Sequence, residues 1–256
     1  MYQKLLSLAF AGLTSVSAAN AAQINVDELA NKVEPDVIKW RHHFHEFPEL
    51  SNREFKTAEY VADYLESLGL EVQTGVAKTG VVAILDSGKP GPVVALRADM
   101  DGLPVKEQND LSYRSKQVGE YNGKEVPVMH ACGHDTHMAM LMGAAKILTE
   151  IKGDLKGKVK FIFQPAEEGA PAGEKGGAEV MVAEGVLKNP DVDAIFGLHI
   201  NANTDVGKVR YNAGGTMAAV DPFKIVIHGK QAHGAYPWKS VDPVVTAAQM
   251  IMSIQT

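Results

Sequence analysis

Apolar positions recur at helical spacing over residues 26–47 and again over 53–67, where Gly69 closes the second run. From residue 70 the pattern shortens into β-rich runs at 70–73, 81–86 and 93–97. The last two are joined by the turn-forming stretch Ser87-Gly88-Lys89-Pro90-Gly91-Pro92. An apolar helix is predicted to start near Asp135 or Thr136 and run to about Ile151. It is followed by a strand at 159–163, a Gly-rich loop, a helix at 178–184 and a strand at 194–198. Beyond these, 222–228 reads as a strand, 229–237 as a loop and 241–254 as an apolar helix. Strands alternating with helices predict an open α/β sheet. Three of the strands end in chemistry-bearing residues: Asp99 and Asp101 after the run at 93–97, Glu167 and Glu168 after 159–163, and His199 after 194–198. Ligands of open α/β sheets bind at the carboxyl ends of the strands, so these five side chains are expected at one edge.

The stretch His130-Ala131-Cys132-Gly133-His134-Asp135-Thr136-His137 adds a thiol, imidazoles and a carboxylate, and Cys132 is the only cysteine in the chain. A mixed S/N/O set suits zinc or a neighbouring divalent transition metal better than magnesium or calcium. On a regular helix Cys132 and His134 would diverge by about 200°, so they share an ion only from a turn, which Gly133 permits. A helix starting just after that turn would place the ligands near its positive end, which favours a thiolate. A lone cysteine also serves as a small buried hydrophobe, and histidines near a helix start also cap or pack. Three histidines and a cysteine in eight residues favour metal over packing. A structural zinc site would take four ligands from nearby pairs, so the remaining ligands must come from elsewhere. The other histidine cluster, His42, His43 and His45, is read as a helix terminus ahead of Pro48, because adjacent histidines face different ways.

Residues 1–22 carry a basic start at Lys4, an apolar stretch and an Ala19-Asn20-Ala21 cleavage-type signature. The expectation is a removed signal peptide and export to a periplasmic or extracellular location, with no membrane anchor, the apolar stretch being too short to span a bilayer. The composition, 45% hydrophobic and 22% charged, is that of a soluble globular protein. Without the signal the balance is 24 basic against 31 acidic residues, which excludes a nucleic-acid or anionic-membrane surface as the expected partner. One cysteine allows no internal disulfide, so core burial and metal would have to supply stability in an oxidising compartment.

The segments RADMD (97–101), MHACGHDTH (129–137), FQPAEEG (163–169) and GLH (197–199), in this order and spacing, resemble the zinc-exopeptidase-like amidohydrolases. The branch concerned contains hippurate hydrolase and the indole-acetyl-amino-acid hydrolases, related to aminoacylases and carboxypeptidases. HEFPELSNREFKTAEYVADYLESLG (45–69) resembles the N-terminal pattern of the same branch. The resemblance implies a catalytic domain with a mixed, mostly parallel sheet over residues 23–215 and the start of an inserted α+β lid or dimerisation domain over 216–256. It implies two divalent metal ions (zinc, manganese, cobalt or nickel) with Cys132 bridging and His134, Glu168 and His199 as further ligands. Glu167 would be the general base and Asp101 a support for the site. His233 would be the lid histidine that approaches the substrate of a partner subunit in a homodimer. The implied reaction is hydrolysis of the amide bond of N-acyl amino acids. The alternatives are a metallo-dipeptidase or carboxypeptidase with dipeptide substrates, and a secreted metal- or peptide-binding protein without turnover. Family members supply a further histidine ligand near their C-termini, and the final apolar helix here has no stop signal, so the sequence is expected to be truncated within the lid.

Overall fold

The computed structural model describes residues 24–220 and 223–255, and the expected signal at 1–22 lies outside the described residues. Two compact units divide between Ala202 and Asn203.

In the first unit, α1 (Val26–Glu46) is capped by Asn25, whose side chain accepts the Glu28 N–H at 3.2 Å. Asp27 and Glu28 sit in its first turn and His43 and His45 in its last, the arrangement the helix dipole favours. It stops ahead of Pro48, one residue short of the expected end. The second helix, α2 (Phe55–Ser67), begins two residues later than the sequence pattern indicated. There follow β1 (Glu71–Val76), β2 (Gly80–Asp86), β3 (Val93–Asp99), β4 (Val118–Tyr121), β5 (Lys124–Pro127), α3 (His134–Glu150), β6 (Lys158–Gln164), α4 (Gly177–Ala183) and β7 (Ala194–Gly197). The β4–β5 hairpin was not expected: its strands are four residues each, mostly exposed and joined at Asn122-Gly123, a turn signal without hydrophobic alternation beside it.

Five strands form one sheet in the order β1-β2-β6-β3-β7. Strand β3 runs parallel to both β6 and β7, while β2 is antiparallel to its neighbours, so the expected mixed sheet is present. The register aligns Asp99 with Gln164 and Arg97 with Gly197. The chain segments leaving β3, β6 and β7 therefore emerge together at one edge, as the topology rule requires.

Alternation along the strands explains the two-sided core. Phe161 and Phe163 of β6 point to one face, where they meet Val61, Leu65, Met138 and Met142 from α2 and α3. Ile162 points to the other face with Val82, Ala95 and Met181 of α4. Strands buried on both faces read as continuous apolar runs, which is the pattern of 159–163. Helix α3 lies close on α1 because Gly143 has no side chain: an added Cβ would stand 2.7 Å from Val37 Cγ2.

The second unit holds a short 3₁₀ turn at Pro237–Lys239 and α5 (Pro243–Ile254), capped by Asp242. The expected strand at 222–228 does not form over the described residues 223–228. Only an isolated bridge, Lys230 to Val241, follows it. Phe223, Ile225 and Val226 stay exposed, and a strand exists only when a neighbour pairs with it, which none of the described residues does here. Among the described residues no helix is long and apolar enough to cross a membrane.

One buried charge bears on stability. Glu54, at the start of α2, turns inward instead of capping its helix. It is fully buried and accepts hydrogen bonds from Thr79 Oγ1 at 2.7 Å and from the Ala166 N–H at 2.8 Å. Burial pushes its carboxyl up to about 7, above the ordinary 4.5. A raised acid contributes no penalty below its unfolded value and costs stability as pH rises, because the unfolded chain ionises first. Between the two values the loss grows to about 3 kcal/mol. Glu54→Gln lacks that term, so its stability relative to the parent should improve between pH 4.5 and 7 in chemical denaturation. Parallel pH profiles for the two proteins would contradict this.

Candidate metal centre

The carboxyl edge of the sheet receives Asp99 and Asp101 from β3, Glu167 and Glu168 from the segment after β6, and His199 from the segment after β7. Cys132 and His134 arrive from the turn that starts α3. Gly133 sits between them at φ +96, a left-handed conformation, with Ile200 so close that a Cβ would stand 2.1 Å from its Cγ2. The turn thus sends the thiol and the imidazole to one ion-sized space. Cys132 Sγ, His134 and Glu168 each offer an atom within 4.8 Å of the others, and so do Asp99, His134, His137 and His199.

Hydrogen bonding sorts the members of these two overlapping sets. His134 Nδ1 donates to the Asp101 carbonyl at 2.8 Å, which fixes the tautomer and leaves the Nε2 lone pair free. That Nε2 is buried without a hydrogen-bond partner, 3.7 Å from Asp99 Oδ2 and Glu167 Oε2 and 3.9 Å from Glu168 Oε1. His199 Nδ1 is likewise engaged by the Ile200 carbonyl at 2.7 Å, and its Nε2 faces Cys132 Sγ at 3.4 Å. His137 differs. Its Nδ1 donates to Asp99 Oδ1 at 2.6 Å and its Nε2 accepts the Ile200 N–H at 2.9 Å, so no lone pair remains. Asp99 is further held by Arg97 at 2.7 Å. The available donors are therefore Cys132, His134, Glu168 and His199, a borderline-soft S/N/O set fit for a divalent transition metal.

Asp101 braces this set while its Oδ1 stays buried without a hydrogen-bond partner. Its Oδ2 accepts Ser51 Oγ at 2.7 Å and the Glu168 N–H at 3.0 Å, while its carbonyl orients His134. On the far side, His45 of α1 bridges Asp135 at 2.9 Å and Glu107 at 2.8 Å, with Arg41 also on Asp135 at 3.2 Å. These bonds anchor the start of α3 beside His134. Burial opposes a charged His45, yet the Asp135 bond and then Glu107 raise its pKa. The 42–45 histidine cluster is thus a helix terminus, as read from the sequence, and none of its members belongs to either donor set. His130 is buried and lowered to about 4 by burial, and it too stands outside them.

Electrostatically the site carries more acidic than basic groups. Burial, then Glu168, Glu167 and Asp99, pushes the Cys132 thiol up to about 12. Burial also raises Glu167, with Asp99 and Glu168 adding to it against the pull of His134 and Arg97. For Asp99 burial acts upward, but the His137 bond, His134 and Arg97 outweigh it and hold the carboxyl at about 2. His134 is raised despite burial, by Asp101, Asp99 and Glu167. A cation placed among these groups would offset the repulsion and let the thiol ionise.

Sequence reasoning placed Asp99 at this edge but missed its partner His137 and the bracing role of Ser51. The spacing of His134 and His137, three apart on one helix, was the available signal for the first. His233 lies in the second unit, where Nδ1 accepts the Ala235 N–H at 3.1 Å and the ring packs 5.7 Å from Tyr236.

The sequence model of peptidase family M20/M25/M40 matches residues 95–255. Thermostable carboxypeptidase 1 of Saccharolobus solfataricus is 44% identical over 233 residues, covering 90% of this chain and 56% of that protein. An N-acyl-L-amino acid amidohydrolase of Geobacillus stearothermophilus is 44% identical over 230 residues, covering 90% of this chain and 58% of that protein. The chain thus spans a little over half the length of these relatives. Among solved structures, the Bacillus subtilis YXEP protein, a dinuclear metal binding peptidase from the M20 family, is 40% identical with a TM-score of 0.60, covering 69% of this chain and 45% of that one. The matched region takes in every segment that builds the donor set, and the chain belongs to peptidase family M20/M25/M40.

Proposed function

We propose that the protein containing this chain hydrolyses the amide bond of N-acyl amino acids in a metal-dependent reaction. The observation that carries this reading is the buried, unpartnered Nε2 of His134. Its tautomer is set by the Asp101 carbonyl and it is surrounded by acidic groups in a space shared with Cys132 and Glu168. Cys132, His134, Glu168 and His199 would hold two divalent ions, zinc, manganese, cobalt or nickel. When bound, the ions polarise the scissile carbonyl and lower the pKa of water.

The remaining chemistry belongs to the chain. Glu167 is the neighbour of a ligand rather than a ligand, and its raised pKa suits a group that accepts a proton from water and returns it to the leaving amine. Its Oε2, 3.7 Å from His134 Nε2, is the atom that moves the proton. Asp101 keeps His134 in the right tautomer and pins the Glu168 backbone. Arg97 and His137 occupy both oxygens of Asp99, which keeps that carboxylate charged and fixed beside the site.

The carboxypeptidase relative supports a second reading, peptide-bond hydrolysis at the same centre, and a panel of N-acyl amino acids against dipeptides separates the two. Tight metal uptake with turnover on neither would favour a binding protein. A homodimer in which His233 approaches the partner's substrate is part of the same proposal.

Glu167→Gln keeps the size of the side chain but cannot take the proton. In the full-length protein its metal content should persist while kcat falls on the order of 10²-fold or more. Glu168→Gln and Cys132→Ser should lose metal first, since each replaces an anionic ligand by a poorer one. Metal analysis beside steady-state kinetics checks this, and metal loss in Glu167→Gln with retention in Glu168→Gln would reverse the assignments. Export rests on residues 1–22: N-terminal sequencing of the extracytoplasmic protein should begin near Ala22 or Gln23, and an intact Met1 there would rule it out.

A further inference from the structure

Four consecutive residues between α1 and α2 hold the segment that follows β6. Ser51 Oγ donates to Asp101 Oδ2, the same oxygen that accepts the Glu168 N–H. Asn52 Nδ2 donates to the Lys175 carbonyl and to Glu174 Oε2, both at 3.0 Å, and Arg53 pairs with the same Glu174. Asn52 lies so close to Gly176 that a Cβ there would stand 2.6 Å from its Oδ1. Glu54 makes the innermost contact, accepting the Ala166 N–H at 2.8 Å from a fully buried carboxyl group. Ala166 sits at φ +49, a left-handed conformation that a residue with a Cβ rarely adopts, immediately before Glu167 and Glu168. Such a conformation persists only where the surroundings over-determine it. Here the hydrogen bond from its own N–H, closed by Thr79 on the other carboxyl oxygen, supplies that determination.

We propose that Glu54 is a positioning residue for amide hydrolysis: its buried carboxyl group holds the left-handed turn at Ala166 and so aims the Glu167 side chain that follows it, the Glu168 N–H being held separately by Asp101. The inference rests on the reading of Glu167 as the proton-transfer group. The hydrogen bonds of the Glu54 carboxyl group go to Thr79 and to the Ala166 N–H, and it acts through that backbone N–H. Small displacements of a catalytic group cost rate more than binding, so its removal should show in kcat rather than KM.

The test uses the metal-loaded full-length protein. Glu54→Leu removes the acceptor, whereas Glu54→Gln keeps an oxygen for the Ala166 N–H. Glu54→Leu is expected to lower kcat about tenfold or more with KM changed by less than about threefold, and to speed amide hydrogen exchange over residues 164–169. Glu54→Gln should restore both properties. In a Glu167→Gln background, Glu54→Leu should cost little further activity, because the group it aims is already disabled. Parental kcat and exchange in Glu54→Leu would overturn the proposal, as would the same fold-loss in both backgrounds. Near-parental turnover in Glu167→Gln alone would instead overturn the proton-transfer reading on which it rests. If Glu54→Leu does not fold, Glu54→Asp, which withdraws the carboxylate by one methylene, should show the same kcat loss and faster exchange. Parental values in folded Glu54→Asp overturn the inference.

Discussion

The constraint on which the site depends is the crowding of like charge at one sheet edge. Parallel pairing of β3 with β6 and β7 brings Asp99, Asp101, Glu167 and Glu168 together with a thiol. Arg97 and the histidines offset only part of that charge, and Cys132 responds by holding its proton up to about 12. Such an arrangement is costly unless each group is fixed by a partner or the cluster takes up a cation. The fold supplies the first. Asp99 has Arg97 and His137, Asp101 has Ser51 and the Glu168 N–H, and Asp135 has His45 and Arg41. Among the candidate donors His134 Nε2 is left unpartnered, and Cys132 Sγ lies 3.4 Å from His199 Nε2.

The hydrogen-bond partners distinguish these acids better than sequence position does. Asp99 ends β3 and Glu168 lies in the segment after β6, and both face His134 Nε2, at 3.7 and 3.9 Å. Only the first is saturated by side-chain partners within the chain. His134 and His137 lie on one helix three residues apart, yet one keeps a lone pair toward the site and the other spends both nitrogens on Asp99 and the Ile200 backbone.

What could be read from the sequence follows the same line. Helices α1, α2 and α3 and the central strands were legible because their apolar periodicity reflects burial that the structure realises. The edge shared by Asp99, Glu167 and His199 was legible because alternation of strands and helices restricts topology. The β4–β5 hairpin was not, since its strands bury little and leave no periodic signal. The expected strand at 222–228 has the right alternation, but a strand is completed by pairing, which a pattern within one segment cannot supply. The roles of Ser51, Glu54 and His137 were hidden for a similar reason. Each depends on a partner between about 40 and 110 residues away, and only the folded backbone identifies it.

The central claim is that Cys132 remains a thiol until a divalent ion joins it to His134, Glu168 and His199. The most direct measurement is addition of cobalt(II) to the metal-free full-length protein, followed by near-ultraviolet absorption. The account predicts a saturable thiolate-to-cobalt charge-transfer band that is abolished by Cys132→Ser and accompanied by proton release. Cobalt uptake with no such band, or a band that survives Cys132→Ser, would contradict it.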